Sequence, residues 1–213
     1  MENQLPAIKL PIEMVLFDYG NVIAMVDHRK FAASLHKKTG VALDFIMGKI
    51  FEKGSVSEKL ECGQIGPVQF REVVQSALNM EIDRGFLENT FCDIFEPIHT
   101  TRMLIRNLKR RYRLGLLSNT NAIHFDKYIK NDGVFELFDQ VTLSFVVGKM
   151  KPSPEIFKDA LNKFGGNANR VLYLDDISEY VQAAQQLGIQ SIVFNDPLRI
   201  TEYLAGILLP KGR

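Results

Sequence analysis

Four apolar runs in this chain end on or just before charged or hydroxyl side chains, and that arrangement leaves room for one kind of architecture. Met14–Phe17 runs into Asp18, Leu114–Leu117 into Ser118, and Val171–Leu174 into the pair Asp175–Asp176, while Lys151 follows Val141–Val147 after a short GKM segment. Short apolar runs bounded by turn residues read as buried strands. Between them the spacing turns helical. Met103, Leu104, Ile105 and Leu108 precede the second run, and Asn121 can cap a helix after it. Ser153-Pro154-Glu155 has the order cap, proline, acid that opens a helix, with Ile156, Phe157, Ala160, Leu161 and Phe164 behind it. Ser178 can cap another helix through Ala183, Ala184 and Leu187, which Gly188 ends, and Ile189–Phe194 reads as a last strand. Strand–helix alternation predicts an α/β fold with a doubly wound parallel sheet. All strands of such a sheet end on one edge, and ligands bind outside it. The chain therefore aims a carboxylate, a hydroxyl, an ammonium and two further carboxylates at one place. That inventory can hold a divalent metal and a phosphoryl group while a carboxylate attacks.

The texture changes between about Met25 and His99, where helical patterns follow one another with no convincing strand. Asp27 can cap a helix carrying Phe31 and Leu35, closed by Gly40. Leu43, Ile46, Met47, Ile50 and Phe51 repeat the period up to Gly54. Pro67 suits the first turn of a helix with Phe70, Val73, Val74 and Ala77 on one face. Phe86, Leu87, Phe91 and Ile94 mark one more, ended by Pro97. The expected organisation is a core of residues 1–24 and 100–213 with a helical insertion at 25–99. Placed directly behind Asp18, such an insertion can act as a cap that excludes water, hinged at Gly20–Met25.

Composition removes several alternatives. Hydrophobic residues make up 46% and charged residues 24%, as in ordinary globular domains, and the net charge is +1. No field of one sign attracts nucleic acid or an acidic membrane. The one basic run, Lys109 to Arg113 around Tyr112, reads as a solvated helix end. Cys62 and Cys92 are too few and too isolated for a disulfide framework or a zinc site. No apolar stretch approaches the ~20 residues that span a bilayer, and the start of the chain lacks a signal-peptide pattern. A soluble cytoplasmic protein, monomeric or weakly dimeric, is expected.

The four segments FDYGNV, LSNTN, KMKPSPEIF and VLYLDD, in this order over residues 13–195, resemble the motifs of the haloacid dehalogenase-like (HAD) hydrolases, in the branch with a helical cap after the first motif. The resemblance implies a Rossmann-like core and a Mg²⁺-dependent phosphatase acting on a small phosphorylated metabolite, most readily a sugar phosphate. By resemblance Asp18 is the nucleophile that forms an aspartyl-phosphate. Ser118 and the backbone N–H of Asn119 hold the phosphoryl group, and Lys151, rather than its neighbour Lys149, neutralises charge. Mg²⁺ is then held by Asp18, the Gly20 carbonyl, Asp175 and Asp176, with Asp176 as the more direct ligand of the last pair. The donor types fit the chemistry, since Mg²⁺ prefers oxygen ligands and retained waters.

One position departs from the pattern. Most phosphatases of this kind read D-x-D at the first motif, where the second carboxylate serves as general acid and base. Here the order is Asp18-Tyr19-Gly20. Proton delivery to the leaving group, worth ~10²–10⁴-fold, needs another source. Asp27 and His28 are candidates, against their ordinary roles of helix cap and exposed imidazole. The form D-x-G-N-V is similar to that of a bacterial branch resembling the α-glucose-1-phosphate phosphatases. The missing carboxylate also admits a 2-haloacid dehalogenase, but that reading leaves two acids at 175–176 without a purpose. A phosphomutase leans harder on the absent group, and a non-catalytic binding protein has no need of Asp18 and Lys151. Glu61-Cys62-Gly63 could line the pocket by position, although a plain turn between helices accounts for them more readily.

Overall fold

The computed structural model describes residues 5–52 and 54–209. The chain enters through β1 (Met14–Phe17) and β2 (Ala24–Val26), then winds through five helices: α1 (His28–Thr39), α2 (Leu43–Phe51), α3 (Val56–Glu61), α4 (Pro67–Leu78) and α5 (Arg84–Cys92). It returns by β3 (Phe95–Pro97) and α6 (His99–Leu108) to β4 (Arg113–Ser118) and α7 (Ala122–Lys127). The rest alternates: β5 (Gln140–Leu143), α8 (Ser144–Val147), α9 (Pro154–Phe164), β6 (Val171–Asp175), α10 (Ser178–Gln186), β7 (Gln190–Val193) and α11 (Pro197–Leu208).

Five strands form one parallel sheet in the order β5-β4-β1-β6-β7. Successive side chains on a strand point to opposite faces, and both faces of β1 are buried. Met14 and Leu16 join Ile156, Phe157 and Ala160 of α9 and Ala184 of α10 on one side. Val15 and Phe17 join Leu104, Ile105 and Leu108 of α6 and Ile200, Leu204 and Leu208 of α11 on the other. The expected doubly wound α/β architecture is what forms. Each such buried aliphatic or aromatic side chain contributes roughly 1.5–3 kcal/mol.

Helices α1–α5 gather their own apolar cluster around Phe31, Leu35, Ile50, Phe70, Val74 and Phe91. Their boundaries follow local chemistry. The Asp27 carboxylate accepts from the Arg29 N–H at the start of α1, and Gly40 closes it in the left-handed conformation. Pro67 opens α4, and Asp83 accepts from the Phe86 N–H to start α5.

Four details differ from expectation. The run Val141–Val147 is not one strand: pairing stops at Leu143 and a single helical turn follows, closed by Gly148. The cause is Ser144, whose hydroxyl accepts from the Thr120 N–H and donates to the Thr120 carbonyl, both at 2.9 Å, bending the chain over the sheet edge. The stretch 25–99 is not free of strands, because β2 and β3 pair antiparallel where the chain leaves and re-enters the sheet region. Ser178 lies inside α10, whose cap residue is Ile177; Ser153 does occupy the cap position of α9, but its hydroxyl bonds Glu155 in place of a backbone N–H. Helix α11 was not anticipated, although Asp196 caps it and Ile200, Leu204 and Leu208 repeat every four residues. Among the described residues no helix is long and apolar enough to cross a membrane.

The basic run lies at the far, amino-terminal end of β4. Lys109 pairs with Asp139 at 2.5 Å, and Arg113 donates to the Phe164 carbonyl at 2.7 Å while its guanidinium covers the Phe164 ring.

Candidate active site

Strand order and register bring the site together. Strand β1 is central, with β4 on one side and β6 on the other, so the crevice at its carboxyl end is where ligands bind in such sheets. Phe17 is level with Leu116 of β4 and Leu174 of β6. One residue further along, Asp18 donates its N–H to the Leu174 carbonyl at 2.9 Å and stands beside Asp175, while Ser118 lies one step beyond on β4.

Lys151 arrives from the loop before α9 and is the hub. Its Nζ lies 2.8 Å from Asp18 Oδ1 and 2.6 Å from Asp175 Oδ2, and all three side chains are buried. The Tyr173 and Tyr180 rings flank the ammonium at 5.8 and 5.1 Å, within reach of cation–π attraction. Lys149 is exposed. The Asn119 side chain clamps the Lys151 backbone, accepting its N–H at 2.8 Å and donating to its carbonyl at 3.1 Å. Asn119 thus places Lys151 as well as continuing the chain from Ser118. The Ser118 hydroxyl is buried and, among the described residues, makes only a long 3.4 Å contact to the Asn119 carbonyl.

Asp175 is held on three sides. Its Oδ2 accepts from Lys151 and from the Tyr173 hydroxyl, and its Oδ1 accepts from the Ile177 N–H at 2.8 Å. Asp176 is partly buried and accepts from the Asn21 side chain at 3.0 Å. Asn21 has φ of 53° and also accepts from the Val26 N–H at 3.1 Å, tying the loop after β1 to the loop after β6. The sequence assigns Gly20 a carbonyl for the metal and Asn21 no role of its own. Tyr173, Tyr180 and the bridging role of Asn21 carried no signal of their own there.

One oxygen from each of Asp18, Asp175 and Asp176 can be chosen so that all lie within 4.8 Å of one another. Their electrostatics record the crowding. Burial, with Asp175 and Asp176 adding to it, pushes the Asp18 carboxyl up to about 7, even though Lys151 pulls the other way. Burial and Asp175 also raise Asp176, against its hydrogen bond from Asn21. Burial opposes the Lys151 charge, but Asp18 and Asp175 outweigh it and raise its pKa. Three carboxylates against one ammonium leave net negative charge in a buried, all-oxygen setting. A hard divalent cation fits such a donor set, and its charge would return Asp18 to the ionised form.

The cavity over these groups has a volume of about 220 Å³ and is also lined by Gly20, Asn119, His28, Glu61 and Tyr180. Asp27 is exposed and spent on capping α1, whereas His28 faces the cavity with its ring stacked on Phe51 at 4.3 Å. Burial lowers the His28 pKa, with Asp27 opposing. His124 also lines the cavity, but its ring nitrogens meet the Phe91 carbonyl and the Asn121 side chain, both at 2.9 Å, and burial pushes its pKa down to about 3. Tyr19 points away, donating to Asp132 at 2.6 Å, and so anchors the Asp18 loop in the core.

A doubly wound sheet with an aspartate just past the end of its central strand, and a buried lysine and two adjacent acids beside it, defines a class of hydrolases. The chain matches the haloacid dehalogenase-like hydrolase family over residues 13–188 and belongs to it. D-ribitol-5-phosphate phosphatase of Bacteroides thetaiotaomicron is 26% identical over 188 residues, spanning 84% of this chain and 90% of that enzyme. A HAD-family enzyme of the same organism, solved in complex with magnesium and inorganic phosphate, is 25% identical with a TM-score of 0.76, over 85% of this chain and 93% of its own. The L-2-haloacid dehalogenase of Xanthobacter autotrophicus shares the fold at 18% identity and a TM-score of 0.62, over 85% of this chain and 76% of its own.

Proposed function

We propose that the chain is a Mg²⁺-dependent phosphomonoester hydrolase for a small metabolite of the sugar-phosphate or sugar-alcohol-phosphate class. The observation that carries this reading is the Asp18–Lys151–Asp175 chain of contacts at 2.8 and 2.6 Å, with Asp176 close enough to complete an oxygen-only cluster. The phosphatase relative named for D-ribitol 5-phosphate and the solved enzyme holding magnesium and phosphate support it.

In this reading Asp18, the Gly20 carbonyl, Asp175 and Asp176 would hold Mg²⁺, which would supply charge neutralisation for a phosphoryl group and keep Asp18 ionised. Asp18 attacks phosphorus and forms an aspartyl-phosphate, and water then releases phosphate and restores the carboxylate. Lys151 neutralises charge on the transferring group, and the Ser118 hydroxyl with the Asn119 N–H donates to its oxygens. Tyr173 and the Ile177 N–H fix Asp175, which in turn aims Lys151. Phosphoryl transfer asks chiefly for positioning and charge balance, which these residues supply. Residues 25–99 act as a cap over a core of residues 1–24 and 100–213, with Val26, His28, Glu61 and Phe95 as their contribution to the cavity wall.

The direct test is hydrolysis of p-nitrophenyl phosphate with Mg²⁺, with EDTA, and by an Asp18→Asn variant. Release that needs Mg²⁺ and disappears in the variant is expected. No release by the wild-type protein under any condition would sink the reading and direct attention to 2-haloacids.

A further inference from the structure

Resting on the phosphatase reading is a question the site leaves open: what gives the leaving oxygen its proton when position 20 is glycine. The core side of the cavity offers groups already committed to charge balance or positioning, namely Asp18, Lys151, Asp176 and Tyr180. Asp27 is exposed outside the cavity and caps α1. His124 is locked on both ring nitrogens. His28 faces the cavity, but burial favours its neutral form.

Glu61 stands apart from all of these. It is the last residue of α3 and lines the 220 Å³ cavity with Asp18, Ser118 and Lys151. It also lines an adjoining cavity of about 540 Å³ with Ser57, Glu58, Cys62 and Glu179. It therefore stands at the junction between the phosphoryl end and the space open to the remainder of a substrate. Among the described residues its carboxylate accepts no hydrogen bond and forms no ion pair. The turn that carries it is seated on the core. Gly63 has φ of 65°, and a Cβ at that position would collide with the Phe145 carbonyl oxygen. Only glycine lets this turn descend so far onto α8, and the descent sets the height of Glu61 over the site.

We infer that Glu61 is the general acid and base of this site, delivered by the helical insertion in place of the carboxylate absent at position 20. As Asp18 attacks phosphorus, the bond to the leaving oxygen breaks, its electron pair stays on that oxygen, and the Glu61 proton is transferred there. The products of this step are the free alcohol, the aspartyl-phosphate and a Glu61 carboxylate. That carboxylate takes a proton from the water attacking phosphorus, the bond to Asp18 breaks, and phosphate leaves with Glu61 protonated again. One group serves both halves of the cycle.

The surroundings suit that duty. Burial, and then Glu58, push the Glu61 carboxyl up to about 7, with Lys151 opposing. Other titratable and charged groups near it are Cys62 in its own turn, Glu52 after α2, Lys149 in the loop before α9, His28 on α1, Glu179 and Tyr180 on α10, and Asp18 and Asp176 across the smaller cavity. Near neutrality both forms of Glu61 are populated, as an acid that must also act as a base requires.

The experiment compares esters whose leaving groups differ in need of a proton, using the full chain with Mg²⁺. Ribitol 5-phosphate expels an alkoxide that must be protonated, and p-nitrophenyl phosphate expels a phenolate that need not be. In the first turnover Glu61→Gln is expected to release p-nitrophenol within about three-fold of the wild-type rate while ribitol release slows ~10²-fold or more. Later turnovers slow for both, so p-nitrophenol appears as a burst, and the alkaline fall in the wild-type ribitol profile disappears. Equal slowing of both first turnovers, or unchanged ribitol release, overturns the inference and leaves the phosphatase reading standing. A wild-type protein inert towards both esters removes that reading and the inference with it. Gly63→Ala keeps the carboxyl but lifts its turn. The same selective loss is expected there, and a variant indistinguishable from wild type overturns the role of the glycine seat.

Discussion

Replacing Asp18 by Asn removes a charge that the metal-free fold holds at a cost. Burial, with Asp175 and Asp176, raises this carboxyl from 3.8 to about 7. The folded protein therefore keeps the proton more firmly than the unfolded chain between those values. Stability falls as pH rises through that window and is flat above it, because the unfolded state is the one that binds fewer protons there. The gap of about three pH units corresponds to ~4 kcal/mol. That figure already contains the attraction of Lys151, which pulls the carboxyl down, so the expected net gain of the variant above the window is itself ~4 kcal/mol. For a chain of this length that amounts to a rise in Tm of roughly 8–16 °C. Thermal unfolding in EDTA, followed for both proteins at about pH 4 and about pH 8, reads it directly. Expected are near coincidence at the acid end and a more stable variant at the alkaline end. Added Mg²⁺ should then stabilise the wild type and leave the variant where it was. A variant less stable at pH 8, or a gain independent of pH, would refute the reasoning that Asp18 is held against its own burial.

Lys151→Met leaves three acids without their ammonium, and kcat for p-nitrophenyl phosphate is expected to fall ~10²–10³-fold, measured at saturating Mg²⁺. Asn21→Gly keeps the left-handed backbone but unties Asp176, so the Mg²⁺ concentration for half-maximal activity should rise ~10–100-fold with kcat at saturation little changed. Phe31→Ala opens a void among Phe51, Phe91 and Leu35 and should cost ~3–5 kcal/mol in denaturant unfolding monitored by circular dichroism.

The core was legible where short apolar runs alternate with helical spacing, because a parallel sheet buried on both faces writes itself as uninterrupted apolar strands. The run at 141–147 misled for the same reason: its β-branched residues continue past Leu143, and only the Ser144–Thr120 exchange ends the strand. Strands β2 and β3 are three residues each and carry exposed Met25 and Glu96, so no alternation could announce them. Helix α11 did have a legible pattern in Ile200, Leu204 and Leu208. Asp18, Ser118, Lys151, Asp175 and Asp176 could be picked out because each sits at or just beyond an element's end, where topology dictates convergence. Tyr180 could not, nor could the grip of the Asn119 side chain on Lys151, since both lie in contacts with Lys151 made across the chain. Glu61 was visible only by position, and its unpaired carboxylate required the fold.

The β2–β3 ribbon has a consequence for how such chains diversify. Met25 and Glu96 are direct partners, so the chain departs and returns about one strand spacing apart, ~4.8 Å. Everything between can be shortened, lengthened or exchanged at a single seam, with no strand of the sheet rethreaded and no residue of the Asp18, Lys151 and Asp175 contacts displaced. The Asp18, Lys151 and Asp175 contacts on one side of the seam, and the part that carries Glu61 and meets the remainder of a substrate on the other, are thus free to change at different evolutionary rates.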